Sequence, residues 1–245
     1  MHAAAQVDRA IVLAAGMGSR LVQDQPYPKP LQPVSNVPLL VRVLRTLQDE
    51  GIREAIIITG HLAEALKGAL EAEPSLTLSL RFVHNELHRT TMNGVSLLAA
   101  REWVQDDVLL TMSDHLFAPE IVRRLRAFDR PRGSSVLAVD YDVARCFDPD
   151  DATKVRVEQG RVVEIGKDLA SYNAVDTGVF RIGPELVAPL ARIFGERGDC
   201  SLSEGARVLS AEGRFLACDI GGAPWIDVDT PAALLHAEAM LRASP

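Results

Sequence analysis

Residues Ala10–Leu31 read AIVLAAGMGSRLVQDQPYPKPL, and the rest of the chain is organised around them. The apolar run Ala10 to Ala15 has the length of a buried strand. Gly16 and Gly18 follow at once, and glycine lets a backbone turn tightly and approach a ligand closely. Ser19 and Arg20 come next, then a polar loop, then Lys29 between Pro28 and Pro30. Each proline fixes its own φ and pushes the preceding residue towards an extended shape, so Lys29 sits on a stiff segment. A strand, a glycine turn, an arginine and a braced lysine suit a polyanion held by backbone N–H groups and two cations. The stretch is neither a dinucleotide fingerprint, which needs a glycine where Leu21 stands, nor a Walker loop, which needs Gly-Lys-Ser/Thr.

Outward from this stretch, apolar periodicity predicts helices over 37–50, 61–73, 93–102 and 119–128. They alternate with strands over 55–59, 76–84 and 108–112. Such alternation implies βαβ units and a Rossmann-like, three-layer α/β open sheet, mainly parallel. The second half changes character. Strands are predicted at 135–140, 173–182 and 215–219, with a hairpin of 154–158 and 161–165 about Gln159-Gly160. That hairpin is expected to form a small lid or substrate-side subdomain. Pro184 opens a helix, Ser201 and Glu204 have capping-box spacing ahead of a helix over 202–211, and Thr230-Pro231 opens the last one. The sequence contains no repeat and no long linker, and one domain is the simplest expectation.

The chain has 245 residues, 47% hydrophobic, and 26 basic against 33 acidic side chains. A net charge of −7 argues against a general nucleic-acid or anionic-membrane binder, whose affinity needs a basic surface. Cys146, Cys200 and Cys218 lie far apart and are odd in number, which points to a reducing compartment. The first residues lack a signal-peptide pattern and no apolar stretch reaches spanning length, so a cytoplasmic location without membrane insertion is expected.

Three places could carry chemistry. Asp114 follows the apolar strand VLLTM, at the carboxyl edge where open α/β sheets bind ligands. Alone, it could equally cap the next helix. In Trp225-Ile226-Asp227-Val228-Asp229, the two carboxylates share a side if the run is extended. With Asp114 they would make a hard oxygen site suited to Mg²⁺. Asp229 could instead shield the following helix N-terminus. Lys167 follows a strand and a glycine, with Asp176 further along. By itself such a lysine is an ordinary solvated charge.

Taken together, AxxLAAGxGSRL…PKPL resembles the signature of the pyrophosphorylase-type nucleotidyltransferases, over nearly the whole chain. MSDHLF, IGKDLASYNAVDTGVF and WIDVDTP resemble the inositol-1-phosphate cytidylyltransferase branch in particular. The resemblance implies a single nucleotidyltransferase domain over 1–245, with a nucleotide-binding part about 8–130 and an acceptor-side part about 131–245. It implies that Ala14, Ala15, Gly16, Gly18 and Ser19 hold CTP by backbone contacts and that Gly94 lies near the base. Arg20 would meet the outer phosphates and Lys29 the α-phosphate. Asp114 and Asp229, with Asp227 alongside, would bind Mg²⁺. Lys167 would hold the acceptor phosphate, with Asp176 near the acceptor or the metal. The implied reaction joins CTP to a phosphorylated polyol, inositol 1-phosphate first among them, giving CDP-inositol and pyrophosphate. Phosphocholine, a phosphonate, a sugar 1-phosphate with another triphosphate, and a non-catalytic nucleotide sensor are the alternatives. A homodimer is left open. Some members of the branch carry a membrane-embedded alcohol phosphotransferase domain that could consume the product. No stretch here could be that domain, so only the soluble half-reaction is expected.

Overall fold

The computed structural model describes residues 7–18, 21 and 27–243. Its strands are β1 (Arg9–Ala14), β2 (Pro33–Val34), β3 (Val37–Pro38), β4 (Glu54–Thr59), β5 (Ser79–His84), β6 (Val108–Met112), β7 (His115–Phe117), β8 (Ser135–Asp140), β9 (Lys154–Glu158), β10 (Arg161–Gly166), β11 (Ala174–Ile182), β12 (Phe215–Asp219) and β13 (Trp225–Asp227). Its α-helices are α1 (Leu39–Asp49), α2 (Ala63–Glu71), α3 (Asn93–Ala99), α4 (Pro119–Ala127), α5 (Pro184–Arg197), α6 (Leu202–Ala211) and α7 (Pro231–Ala243). Nine strands form one sheet in the order β5-β4-β1-β6-β11-β8-β12-β10-β9. β11 and β10 run against the other seven.

Strand alternation divides the interior into two cores. Ala10, Val12 and Ala14 of β1 face the layer that includes α1, α4 and α7. Ile11 and Leu13 face the layer of α3, α5 and α6. The expected three layers are therefore present, and their parallel half is β5-β4-β1-β6.

Local chemistry explains where elements begin and end differently from the periodicity. The helix expected from residue 37 starts at Leu39, because Val37–Pro38 pairs with Pro33–Val34 across Ser35-Asn36. Both turn residues have positive φ, 46° and 65°, the geometry of a tight two-residue hairpin. The helix expected over 93–102 stops at Ala99 and gives way to a 3-10 turn, Arg101–Trp103. Gln159 and Gly160, φ 50° and 75°, make the expected hairpin turn. That hairpin is the edge of the main sheet, joined through β10 to β12 and through β9 to β11. Ser201 and Glu204 complete the capping box of α6. Among the described residues, no helix is long and apolar enough to cross a membrane.

Candidate active site

β1 and β6 are adjacent and parallel, so the loops after them open at the same sheet edge, where Ser113 N–H donates to Leu13 O at 3.0 Å. Ala15, Gly16 and Gly18 line a cavity of about 400 Å³ there, with Lys29, Asp114 and Ser96 among the other walls. The two glycines serve different ends. A side chain at Gly16 would meet nothing within 4 Å. At Gly18, φ is +63° and a Cβ would lie 2.3 Å from Lys29 Cβ, so only glycine lets the lysine close in behind the turn. Ala14 is the buried end of β1 and is not among the cavity walls. Ser19 and Arg20 lie outside the described residues.

Lys29 starts a 3-10 turn, Lys29–Leu31, behind Pro28, and only 5% of it is exposed. Its Nζ donates to Asp114 Oδ2 at 2.6 Å and to Asp229 Oδ1. The three groups lie 85 and 200 residues apart along the chain. A two-stranded ribbon brings the far pair in. After Asp114 the chain enters β7, which pairs antiparallel with β13 so that Asp227 faces His115, and Val228 N–H donates to Asp114 O at 2.9 Å. Asp114 does not cap the next helix. α4 begins at Pro119, behind Ala118, without any side-chain cap, and at the start of α7 Thr230 Oγ1 accepts from Ala233 N–H.

Carboxylates outnumber cations in this cluster. Burial acts to raise Asp114, but the charge of Lys29, then the hydrogen bond and charge of His115, hold it well below the usual carboxylate range. Burial, with the charges of Asp114 and Asp229, pushes Asp227 up to about 6 despite His115. Burial pushes Asp176 up to about 6 despite its bond from Gly178 N–H. His115 sits among them, pushed up to about 9 by Asp227, Asp114 and Asp176 against the cost of its own burial. Asp227 Oδ1 is shut off from solvent and accepts no hydrogen bond. Oxygen atoms of Asp151, Asp227 and Asp229 lie within 4.8 Å of one another, as do ligand atoms of Asp114, His115 and Asp227. An unsatisfied oxygen among clustered carboxylates fits a hard divalent cation.

A second cavity, about 540 Å³, adjoins the first and shares His115 and Asp229 with it. Lys167 and Asp176 line it, and Lys167 Nζ is 2.7 Å from Asp151 Oδ1. Trp225 donates its indole N–H to buried Asp140 at 2.9 Å on the same wall. Phe147 and His236 also line it, with their rings tilted against each other and centroids 4.8 Å apart.

Lys29, Asp114, Asp227 and Asp229 thus converge, and Lys167 with Asp176 lines the adjoining cavity. Gly94 does not line the first cavity, whereas nearby Asn93 and Ser96 do. A Cβ on Gly94 would sit 2.5 Å from Cys200 O, so helix packing accounts for that glycine. Sequence reasoning missed His115 and Asp151. The signal for His115 was a titratable side chain at the end of an apolar strand; Asp151, in a polar loop, offered none.

A glycine turn, a buried lysine and Asp114 wall one cavity, and Asp229 borders both, an arrangement that fits the nucleotidyltransferase class. Residues 10–204 match the family described as the MobA-like NTP transferase domain, and the chain belongs to that family. It is 40% identical to a bifunctional IPC transferase and DIPP synthase of Rubrobacter xylanophilus over 95% of this chain and 51% of that protein. It is 31% identical to a CMP-5'-(3-aminopropyl)phosphonate synthase of Streptomyces rubellomurinus, over 91% of this chain and 37% of that protein. A solved structure described as the inositol-1-phosphate CTP transferase from T. maritima matches with a TM-score of 0.84, 25% identity and 98% of both chains covered. The chain spans about half the length of the first of these relatives.

Proposed function

We propose that the protein transfers CMP from CTP to a phosphorylated polyol, inositol 1-phosphate first, releasing pyrophosphate. The observation that carries this reading is the junction of two cavities at His115 and Asp229, one walled by the glycine turn, Lys29 and Asp114 and the other by Lys167. The IPC transferase relative and the inositol-1-phosphate CTP transferase structure support the choice of nucleotide and acceptor.

Residues about 8–130 and about 131–245 then serve the two substrates within a single domain. Backbone N–H groups of Ala15, Gly16 and Gly18 face the triphosphate; Ser19 would add to them and Arg20 would meet the outer phosphates. Lys29 neutralises the α-phosphate as charge develops there. Lys167 orients the acceptor phosphate, whose oxygen attacks the α-phosphorus in line. That P–O bond forms as the bond to the bridging oxygen of pyrophosphate breaks. The phosphate monoester is already anionic, so no strong protein base is required, and positioning dominates. Asp114 and Asp229, with Asp227 alongside, would hold Mg²⁺, which supplies charge neutralisation of the triphosphate when bound. Asp176, on the wall of the Lys167 cavity, would stand near the acceptor or the metal. The product would suit a membrane enzyme that follows in sequence of reaction, and a cytoplasmic site of action fits that order.

The phosphonate synthase relative favours a second reading, in which the acceptor is a phosphonate. Pyrophosphate release from CTP is measured against inositol 1-phosphate, phosphocholine, an aminoalkyl phosphonate and glucose 1-phosphate, with the other triphosphates in parallel. Release with inositol 1-phosphate and CTP is expected. Release only with the phosphonate favours the second reading, and release with no acceptor favours a nucleotide sensor.

A further inference from the structure

We propose that His115 is a positioning residue that holds Asp114, beside Asp227, in the orientation a divalent cation requires. This rests on the metal-carboxylate reading above. His115 Nδ1 lies 3.0 Å from Asp114 Oδ1 and 3.8 Å from Asp227 Oδ1. A ring nitrogen facing two carboxylate oxygens must carry hydrogen, since a bare lone pair there would be repelled. It therefore donates to Asp114 and offers no ligand pair on that edge. The bond also divides the labour of Asp114, with Oδ1 tied to the imidazole and Oδ2 turned to Lys29.

The fold makes a dedicated niche for this ring. Between Asp176 and Phe180, β11 slips register against β8, and Gly178 in that slip has φ +75°. A Cβ at Gly178 would lie 2.3 Å from His115 Cδ2 and 2.7 Å from Nε2. Bulges of this kind re-aim a strand beside a site, and here the missing side chain admits the imidazole. Gly178 N–H also donates to Asp176 Oδ1 at 2.7 Å, which keeps that carboxylate beside the ring. The register of β7 against β13 sets His115 opposite Asp227, so one side chain reaches carboxylates from two separate segments.

Partners that orient metal ligands from outside the coordination shell typically change metal affinity by about 10–100-fold when removed. The test is Mn²⁺ binding to the full chain without nucleotide, read by electron paramagnetic resonance, with thermal melting in parallel. Asp114→Asn establishes that the signal belongs to this site. His115→Leu, which keeps bulk but no donor, and Gly178→Ala, which pushes the ring out of its niche, are expected to weaken Mn²⁺ binding by about 10–100-fold. His115→Asn, whose amide N–H can stand near Nδ1, is expected to keep affinity within a few-fold of wild type. A purely structural role would lower the melting temperature of all three variants without separating Asn from Leu. Wild-type affinity in a folded His115→Leu or Gly178→Ala, or an Asn variant as weak as Leu, overturns the positioning role and leaves the metal site intact. If wild type binds no Mn²⁺ that Asp114→Asn abolishes, the metal reading falls and this proposal with it.

Discussion

Replacing Lys29 with methionine keeps most of the side chain's length but removes the ammonium that bridges Asp114 and Asp229. In the metal-free protein Asp114 then keeps His115 but loses the ammonium that it shared with Asp229. Breaking a buried ion pair by removing one partner costs about 3–5 kcal/mol. Here the lysine side chain is 6% exposed but the carboxylates are 24% and 22% exposed, so water recovers part of the loss and about 3 kcal/mol is expected. At about 2 cal/mol/K per residue, the unfolding entropy of this chain is about 0.5 kcal/mol/K, so the midpoint falls by about 6 °C. Differential scanning fluorimetry in EDTA reads this shift.

Two further signs follow from the same geometry. A saturating divalent cation supplies charge to the same carboxylates, so it raises the variant's midpoint more than the wild type's and narrows the gap. Asp114 is held below its ordinary range, so its contribution is fully present above about pH 4 and is lost as acid protonates it. The gap between wild type and variant therefore narrows as the pH falls. A variant melting within about 2 °C of wild type in EDTA refutes the bridging role, because the expected loss is three times larger. Equal stabilisation of both proteins by Mg²⁺ refutes the idea that lysine and metal answer the same carboxylates. With CTP and inositol 1-phosphate, the turnover of Lys29→Met is expected to fall by at least ~100-fold.

Other substitutions separate the remaining roles. Asp114→Ala is expected to lose at least ~100-fold in rate with an unchanged circular dichroism spectrum, and near-full activity would remove it from the site. Lys167→Ala should raise the KM for the phosphorylated acceptor while leaving that for CTP alone; its ion pair with Asp151 is half exposed, so stability should change by less than about 1 kcal/mol. A CTP effect as large as the acceptor effect would refute the division of the two cavities. Gly94→Ala should lower the melting temperature through its contact with Cys200 O, with little change in CTP KM, and the reverse result would restore a role beside the base.

The chain's own order of residues determined the layered sheet, the glycine turn and the braced lysine, because each is written in local periodicity or in the backbone limits of glycine and proline. β4, β6, β8 and β12 were legible for that reason, as was the capping box of α6. Asp114 was legible as a carboxylate at the sheet edge, but whether it capped a helix was not. Only the β7–β13 pairing, with Thr230 taking the cap of α7, decided that Asp114, Asp227 and Asp229 meet. Three-residue strands carry too few alternations to show a period, and their pairing is set by distant register. The same pairing made His115 part of the cluster, through a bulge at Gly178 that no local pattern announces. Gly18 bridges the two levels. Its turn is plain from sequence, but the reason it must be glycine is the buried stem of Lys29 packed against it, which exists only in the folded chain.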